Sequence, residues 1–356
     1  MKIHASGEDY LKIGILTWYF GINYGARAHS LALYQTVRNL GYDCEFIQYT
    51  SSNTIKKEFY TCTAIEHRHK HPIQTMSGLV KMHKFNQQKK QYPVSKKVYT
   101  AEEIDALGYD LIILGSDEII NSNHSLYNDI YYGVGLKNTP YIMYAVSAGT
   151  VDQDTKLSKA IDEALGNCKC ISVRDHNTAQ LIENNTKIKP KIVLDPTLLY
   201  DFPVGEPLLK EKYMLIYSFG FLESYKEELI KLSKEKGLRM VCVGRRSEWA
   251  EKSIMNANLD EWLNYYRYAS LIVTDSYHGF IFAIKNHKNY ILIAKDDKTN
   301  KIDGLLNLTG TNKTYWNTQR DIVDYYEEMI DYDKVYENLN IHRQASLEYL
   351  STAITK

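Results

Sequence analysis

The sequence predicts an α/β protein of two Rossmann-like domains facing a cleft. Three observations carry that reading. Strand-length apolar runs such as LIILG at 111–115 and YILIA at 290–294 recur along the chain, separated by stretches with helical spacing, the pattern of parallel sheets built from strand–helix units. At 356 residues the chain is longer than one hydrophobic core usually fills. Two prolines and a glycine within Asp201–Pro207 mark a linker near its middle.

Lys12–Thr17 reads as the first strand, Ala26–Leu40 as a helix that Gly41 ends, and Cys44–Tyr49 as a second strand. Further strands are expected at Asp110–Leu114, Tyr141–Val146, Cys170–Val173 and Ile192–Leu194, with helices at Lys156–Leu165 and from His176 onward. Residues 1–200 therefore make a first domain, with a basic insertion at 51–98. Strands at Tyr213–Ser218, Met240–Val243, Leu271–Thr274 and Tyr290–Ile293 repeat the scheme in a second domain at 208–320. The segment 321–356 reads as helical and crosses back over the first domain.

Composition narrows the function classes. Basic and acidic side chains balance at 43 each, so no overall field favours nucleic acid. No apolar run is long enough to span a membrane, and MKIHASGEDYLK has no signal-peptide apolar region, so a cytoplasmic location is expected. Five cysteines, Cys44, Cys62, Cys168, Cys170 and Cys242, are an odd number without an export signal; free thiols are expected, including the C-x-C at Cys168 and Cys170. Within 51–98, ten Lys or Arg face only Glu58 and Glu66. Its HRHKH run, with His67, His69 and His71, is a weak chelator on an exposed segment, and no metal site is expected. The segment is either a solvated insertion or a patch that meets the pyrophosphate of a lipid-linked sugar or the anionic inner membrane surface.

The richest stretch is VTDSYHGFIFAIKNHKNYILIAKDDK at 273–298. Leu271–Val273 form a short strand, Thr274, Asp275 and Ser276 break it, and a helix opens at Tyr277–Gly279. A helix beginning at the carboxyl end of a parallel strand turns free N–H groups and its positive dipole end toward an anion. With His278 there, the unit suits an anion site with a proton donor, with Ser276 and Gly279 as contacts to the bound anion.

This unit resembles the HG signature of the polysaccharide pyruvyltransferase family. The family's histidine falls on His278, and its lysine, twenty positions on, falls on Lys298. Other similar pieces occur in order: NYGA at Asn23–Ala26, LGSDEIIN at Leu114–Asn121, YAVSAG at Tyr144–Gly149, ISVRD at Ile171–Asp175 and VLDPTLL at Val193–Leu199. One departure is Glu118 and Ile120, where members often carry Gln and Trp. The resemblance implies a glycosyltransferase-B-like architecture and transfer of pyruvate from phosphoenolpyruvate, as co-substrate, to a saccharide, with no other cofactor. It implies His278 as general acid, Lys298 as anion contact, and Arg174 of SVR in the donor pocket, where its guanidinium fork matches carboxylate or phosphate. An ion pair with Asp175 is the plainer role for Arg174.

Arg245 and Arg246, after the strand ending at Gly244, are further phosphate candidates by position. On the acceptor side, Asn23, Tyr24 and Gly25 form a loop before a helix that can hold a hydroxyl-rich or anionic group. Asp117 reads first as a helix cap and second as a base for an acceptor hydroxyl. Thirty tyrosines, among them Tyr131, Tyr132, Tyr265 and Tyr266, offer surfaces for stacking on a sugar. The expected function is ketal formation on a saccharide, including one linked to polyprenyl pyrophosphate. The competing readings are a nucleotide-sugar glycosyltransferase of the same fold and a non-catalytic glycan-binding protein.

Overall fold

The computed structural model describes residues 11–50, 72–218, 221–294 and 299–356. The first half runs β1 (Lys12–Leu16), α1 (Tyr24–Asn39), β2 (Asp43–Tyr49), α2 (Pro72–Lys89), β3 (Val94–Val98), α3 (Ala101–Asp105), β4 (Leu111–Asp117), β5 (Tyr141–Val146), α4 (Lys159–Asn167), β6 (Ile171–Val173), α5 (His176–Asn185) and β7 (Lys191–Ile192). Its seven parallel strands lie in the order β3-β2-β1-β4-β5-β6-β7. All six residues of β5 are buried, because helices cover both faces of a parallel sheet and remove the need for polar alternation.

The second half runs β8 (Tyr213–Tyr217), α6 (Lys226–Lys236), β9 (Arg239–Val243), β10 (Lys252–Ile254), α7 (Leu259–Tyr268), β11 (Leu271–Thr274), α8 (Tyr277–Lys285), β12 (Asn289–Ile293), α9 (Thr299–Thr309), β13 (Tyr315–Trp316), α10 (Ile322–Glu327) and α11 (Tyr332–Thr355). Its six strands are again parallel, ordered β10-β9-β8-β11-β12-β13. In each sheet the order reverses once, between β1 and β4 and between β8 and β11. Loops leaving strands on either side of such a reversal diverge and open a crevice at the carboxyl ends.

Caps set several boundaries. The Ser158 side chain accepts the N–H of Ile161, so α4 begins at Lys159 rather than at Lys156. Asn258 and Glu261 make a reciprocal capping box at the start of α7. Cys168 and Cys170 lie half-buried and unpaired just before β6.

Residues 51–71 of the basic segment, with His67, His69 and His71, lie outside the described residues. Its remainder is no loose excursion. It forms α2 and the edge strand β3, and α2 reaches the second half through Lys84, whose ammonium donates to Glu261 at 2.7 Å, and Gln88, which donates to Asp260 at 2.8 Å.

The two halves share one apolar core. Tyr24 stacks on Trp262 at 5.4 Å and donates its hydroxyl to the Ala257 carbonyl at 2.9 Å. The linker is pinned by Asn264, which donates to the carbonyls of Gly205 and Glu206 and accepts from the N–H of Leu208. Helix α11 begins against the second half, where Tyr336 donates to the Lys285 carbonyl. It ends on the first, where Ser346 accepts the N–H of Leu194 and Lys169 reaches the Lys356 carbonyl.

Candidate active site

Both strand-order reversals open into the same space. A cleft of about 760 Å³ is lined from one side by Trp18, Asn23, Asp117 and Glu118 and from the other by Tyr217, Gly244, Ser276 and His278.

The turn after β11 places His278. The Ser276 hydroxyl accepts the N–H of Gly279 at 3.1 Å and caps α8. A Cβ on Gly279 would overlap Thr274, so only glycine lets the helix start this close to its strand. The first turn of α8 then presses the imidazole onto α1, where a Cβ on Gly25 would lie 2.7 Å from His278 Cγ. The ring stands 6.3 Å from that of His29, and its Nε2 lies 3.8 Å from Asp195 Oδ2 without a hydrogen bond among the described residues. Burial pushes the imidazole down to about 4, against the opposing pull of Asp195 and Asp117, so His278 is neutral near pH 7.

Arg174 organises the wall beneath. Its guanidinium is 1% exposed and bridges Asp117 and Asp195, each at 2.7 Å, while stacking over the Tyr277 ring at 4.8 Å. Asp175 instead accepts from the N–H of Thr178 and caps α5. Arg174 lines a separate cavity of about 430 Å³ rather than the main cleft, so both ends of its fork are committed inside the protein. Asp117 is not a cap. It ends β4 in the left-handed region, at φ 69°, which Asp tolerates better than most residues. Its Oδ2 lies 3.3 Å from His29 Nε2, and His29 Nδ1 is 3.0 Å from Ser116 Oγ. Burial alone would raise the Asp117 carboxyl, but Arg174 and His29 hold it well below the usual carboxylate range. Burial is likewise outweighed at Asp195, where Arg174 and His278 lower the carboxyl.

Lys301 and Glu118 form an ion pair across the cleft, joining α9 to the end of β4. Glu118 also accepts from Asn121 at 2.8 Å. Burial opposes its ionised form, and Lys301 more than compensates. Further cations, Lys81, Arg245 and Arg246, line the walls. Lys298 lies outside the described residues.

Asn23 faces the cleft while its side chain caps α1 by accepting from Ala26 at 3.2 Å. Tyr24 and Gly25 belong to the first turn of α1 rather than to a loop, and Tyr24 is buried in the joint between the halves. Tyr131, Tyr132 and Tyr266 are likewise core residues, each no more than 3% exposed.

The structure adds His29, Asp195 and Lys301 to the residues read from sequence. His29 follows Gly25 by four positions and so shares its helix face, a spacing visible in NYGARAHS. Asp195 sits within VLDPTLL with nothing local to separate a site carboxylate from a turn residue; it also caps the turn at Thr197. Lys301 has no sequence signal, since its partner is 183 residues away.

Sequence comparison matches residues 23–297 to the family described as polysaccharide pyruvyl transferase. No curated protein matches the chain. Among solved structures, UDP-N-acetylglucosamine 2-epimerase from Rickettsia bellii aligns with a TM-score of 0.52 at 9% identity, covering 98% of this chain and 96% of its own. A putative UDP-N-acetylglucosamine 2-epimerase from Listeria monocytogenes aligns with a TM-score of 0.50 at 10% identity, covering 95% and 91%. These likenesses, with the two parallel sheets, identify a glycosyltransferase-B-like fold.

Proposed function

The chain belongs to the polysaccharide pyruvyl transferase family, and from that premise we propose that it moves pyruvate from phosphoenolpyruvate onto two hydroxyls of a saccharide, closing a cyclic ketal and releasing phosphate. The observation that supports this reading best is the meeting of His278 with the Arg174-anchored carboxylates in a cleft that also holds Lys81, Arg245 and Arg246. The donor carries a phosphate and a carboxylate, and its methylene carbon must receive a proton; a cleft lined by cations and by an imidazole that takes up a proton as the donor binds suits both needs.

In this reaction protonated His278 gives its proton to the methylene carbon, making the methyl group and a cationic centre at the second carbon. One saccharide hydroxyl bonds there. The carbon–oxygen bond to phosphate breaks with its electron pair, and the second hydroxyl closes the ring. Of the two hydroxyl protons, one restores His278 and the other leaves on phosphate. No carbon is reduced or oxidised at the expense of another reagent, so the chemistry calls for no redox cofactor. His278 acquires its initial proton with the donor, whose negative charge raises the imidazole pKa. Lys298 completes the donor side by resemblance and Ser276 and Gly279 by their place at the start of α8, while Asn23 lines the acceptor side of the cleft. Arg174 acts by holding Asp117 and Asp195 in place. Asp117, kept ionised, accepts a hydrogen bond from an acceptor hydroxyl and orients it.

Incubation with phosphoenolpyruvate and a panel of saccharides, read by mass spectrometry and phosphate release, tests the reading. Ketal product with equimolar phosphate supports it. Glycosyl transfer from a nucleotide sugar, with phosphoenolpyruvate inert, overturns it.

A further inference from the structure

We propose that α2 is a membrane-docking helix whose outer face enters the surface of an anionic lipid bilayer. Four large apolar side chains within two turns, Ile73, Met76, Leu79 and Val80, are exposed, Ile73 at 69% and Met76 at 62%. At about 100° per residue they occupy one arc of the helix. The opposite arc is committed: Gly78 and Phe85 are buried and Gln74 and Lys81 line the cleft; one turn beyond Val80 the stripe ends at Lys84, which is bonded to Glu261. Helix α2 is therefore a rim of the cleft, fastened to both halves, with its apolar stripe turned outward. A contiguous apolar patch of this kind on a soluble surface marks an interaction site.

Charge selects the partner. From Pro72 to Ala101 the sequence contains no Asp or Glu, while Lys90, Lys96 and Lys97 are exposed at the end of α2 and on the adjoining edge strand β3. Tyr99, just past β3, adds a large exposed ring at 58% exposure, its N–H donated to Glu103. An apolar stripe on a helix whose far end and following strand carry exposed ammonium groups matches a bilayer in which acyl chains receive the stripe and anionic headgroups meet the lysines. The inference is independent of the reaction assigned to the cleft. It brings the cleft rim to the lipid surface, within reach of saccharides carried on lipid.

Sedimentation with vesicles tests it, using phosphatidylcholine alone and mixed with phosphatidylglycerol. The wild-type protein is expected to pellet with the mixed vesicles and hardly at all with phosphatidylcholine. The variants Ile73→Ser/Met76→Ser/Val80→Ser and Lys90→Gln/Lys96→Gln/Lys97→Gln are each expected to lower binding at least ~10-fold. All six side chains are exposed, so unchanged thermal unfolding should accompany the loss. Wild-type protein that stays in the supernatant overturns the proposal. So does full binding by the serine variant, which would mean an electrostatic contact without insertion. A third overturning result is a dimer in sedimentation equilibrium that the serine substitutions dissolve, with no lipid binding, since a second copy would then cover the stripe.

Discussion

Gly25 and His278 touch across the two halves of the molecule, so closely that a Cβ on the glycine would lie 2.7 Å from the imidazole Cγ. The missing side chain on α1 is what allows the ring its place. Gly25→Ala adds a methyl group inside a helix, where alanine is otherwise favoured by ~1 kcal/mol, so the fold should tolerate it while the ring cannot stay. Turnover is expected to fall ~10²-fold or more, the scale of losing a positioned acid, with the far-ultraviolet spectrum unchanged. Phosphate release checks this; near-normal rates would mean that the ring position is not critical.

His278→Ala and Lys298→Ala should fail differently. Removing the acid is expected to lower turnover ~10²–10⁴-fold and leave much of the donor affinity, because proton transfer is felt in the transition state. Removing the lysine should weaken donor binding as well. Calorimetric affinity for phosphoenolpyruvate, set beside ketal formation, separates the two, and equal loss of affinity in both variants would contradict the division of roles.

The depressed pKa of His278 carries a pH signature. Its folded value of about 4 lies below the ordinary value of 6.5. Between those values the unfolded chain binds more protons, so the stabilising contribution is complete above pH 6.5 and is lost as pH falls through 4. Denaturant unfolding at pH 5 and pH 7 should show a smaller difference for His278→Gln than for the wild type. Donor binding near pH 7, measured calorimetrically in buffers of different ionisation enthalpy, should take up more protons in the wild type than in the variant. Equal uptake would remove the donor-coupled proton from the mechanism.

Arg174→Ala is expected to be a folding mutant before it is a catalytic one. It strands two carboxylates, Asp195 fully buried and Asp117 nearly so, and breaking a buried ion pair from one side commonly costs ~3–5 kcal/mol. Adding Asp195→Asn should recover part of that stability, since the neutral amide no longer needs a counter-charge. A denaturation series of the single and double variants decides, and an Arg174→Ala protein of wild-type stability would show that water replaces the guanidinium.

Much of this fold was legible because parallel strands covered on both faces must be continuously apolar; runs such as Tyr141–Val146 admit few other readings. His278 was legible for a local reason, since a strand, a breaker and a capped helix start all fall within a few residues of it. What stayed hidden depends on distant pairing. Arg174 looks like a surface fork in SVRD, and only the fold, by bringing in Asp117 and Asp195, shows that its charge is already used. Tyr24 looks like a loop aromatic until Trp262, from the other half, is found stacked on it. The Glu118–Lys301 pair leaves no trace in either neighbourhood of the chain.

The chain passes between its two halves twice, once through the linker held by Asn264 and once along α11. One crossing is a covalent linker and the other a helix docked on the first half by hydrogen bonds and packing, so the halves are held at two separate points. Together with the Tyr24–Trp262 stack they keep Gly25 and His278 opposite one another across the joint. A protein nicked between Asp201 and Pro207 should accordingly remain one particle on a sizing column, held by its last helix.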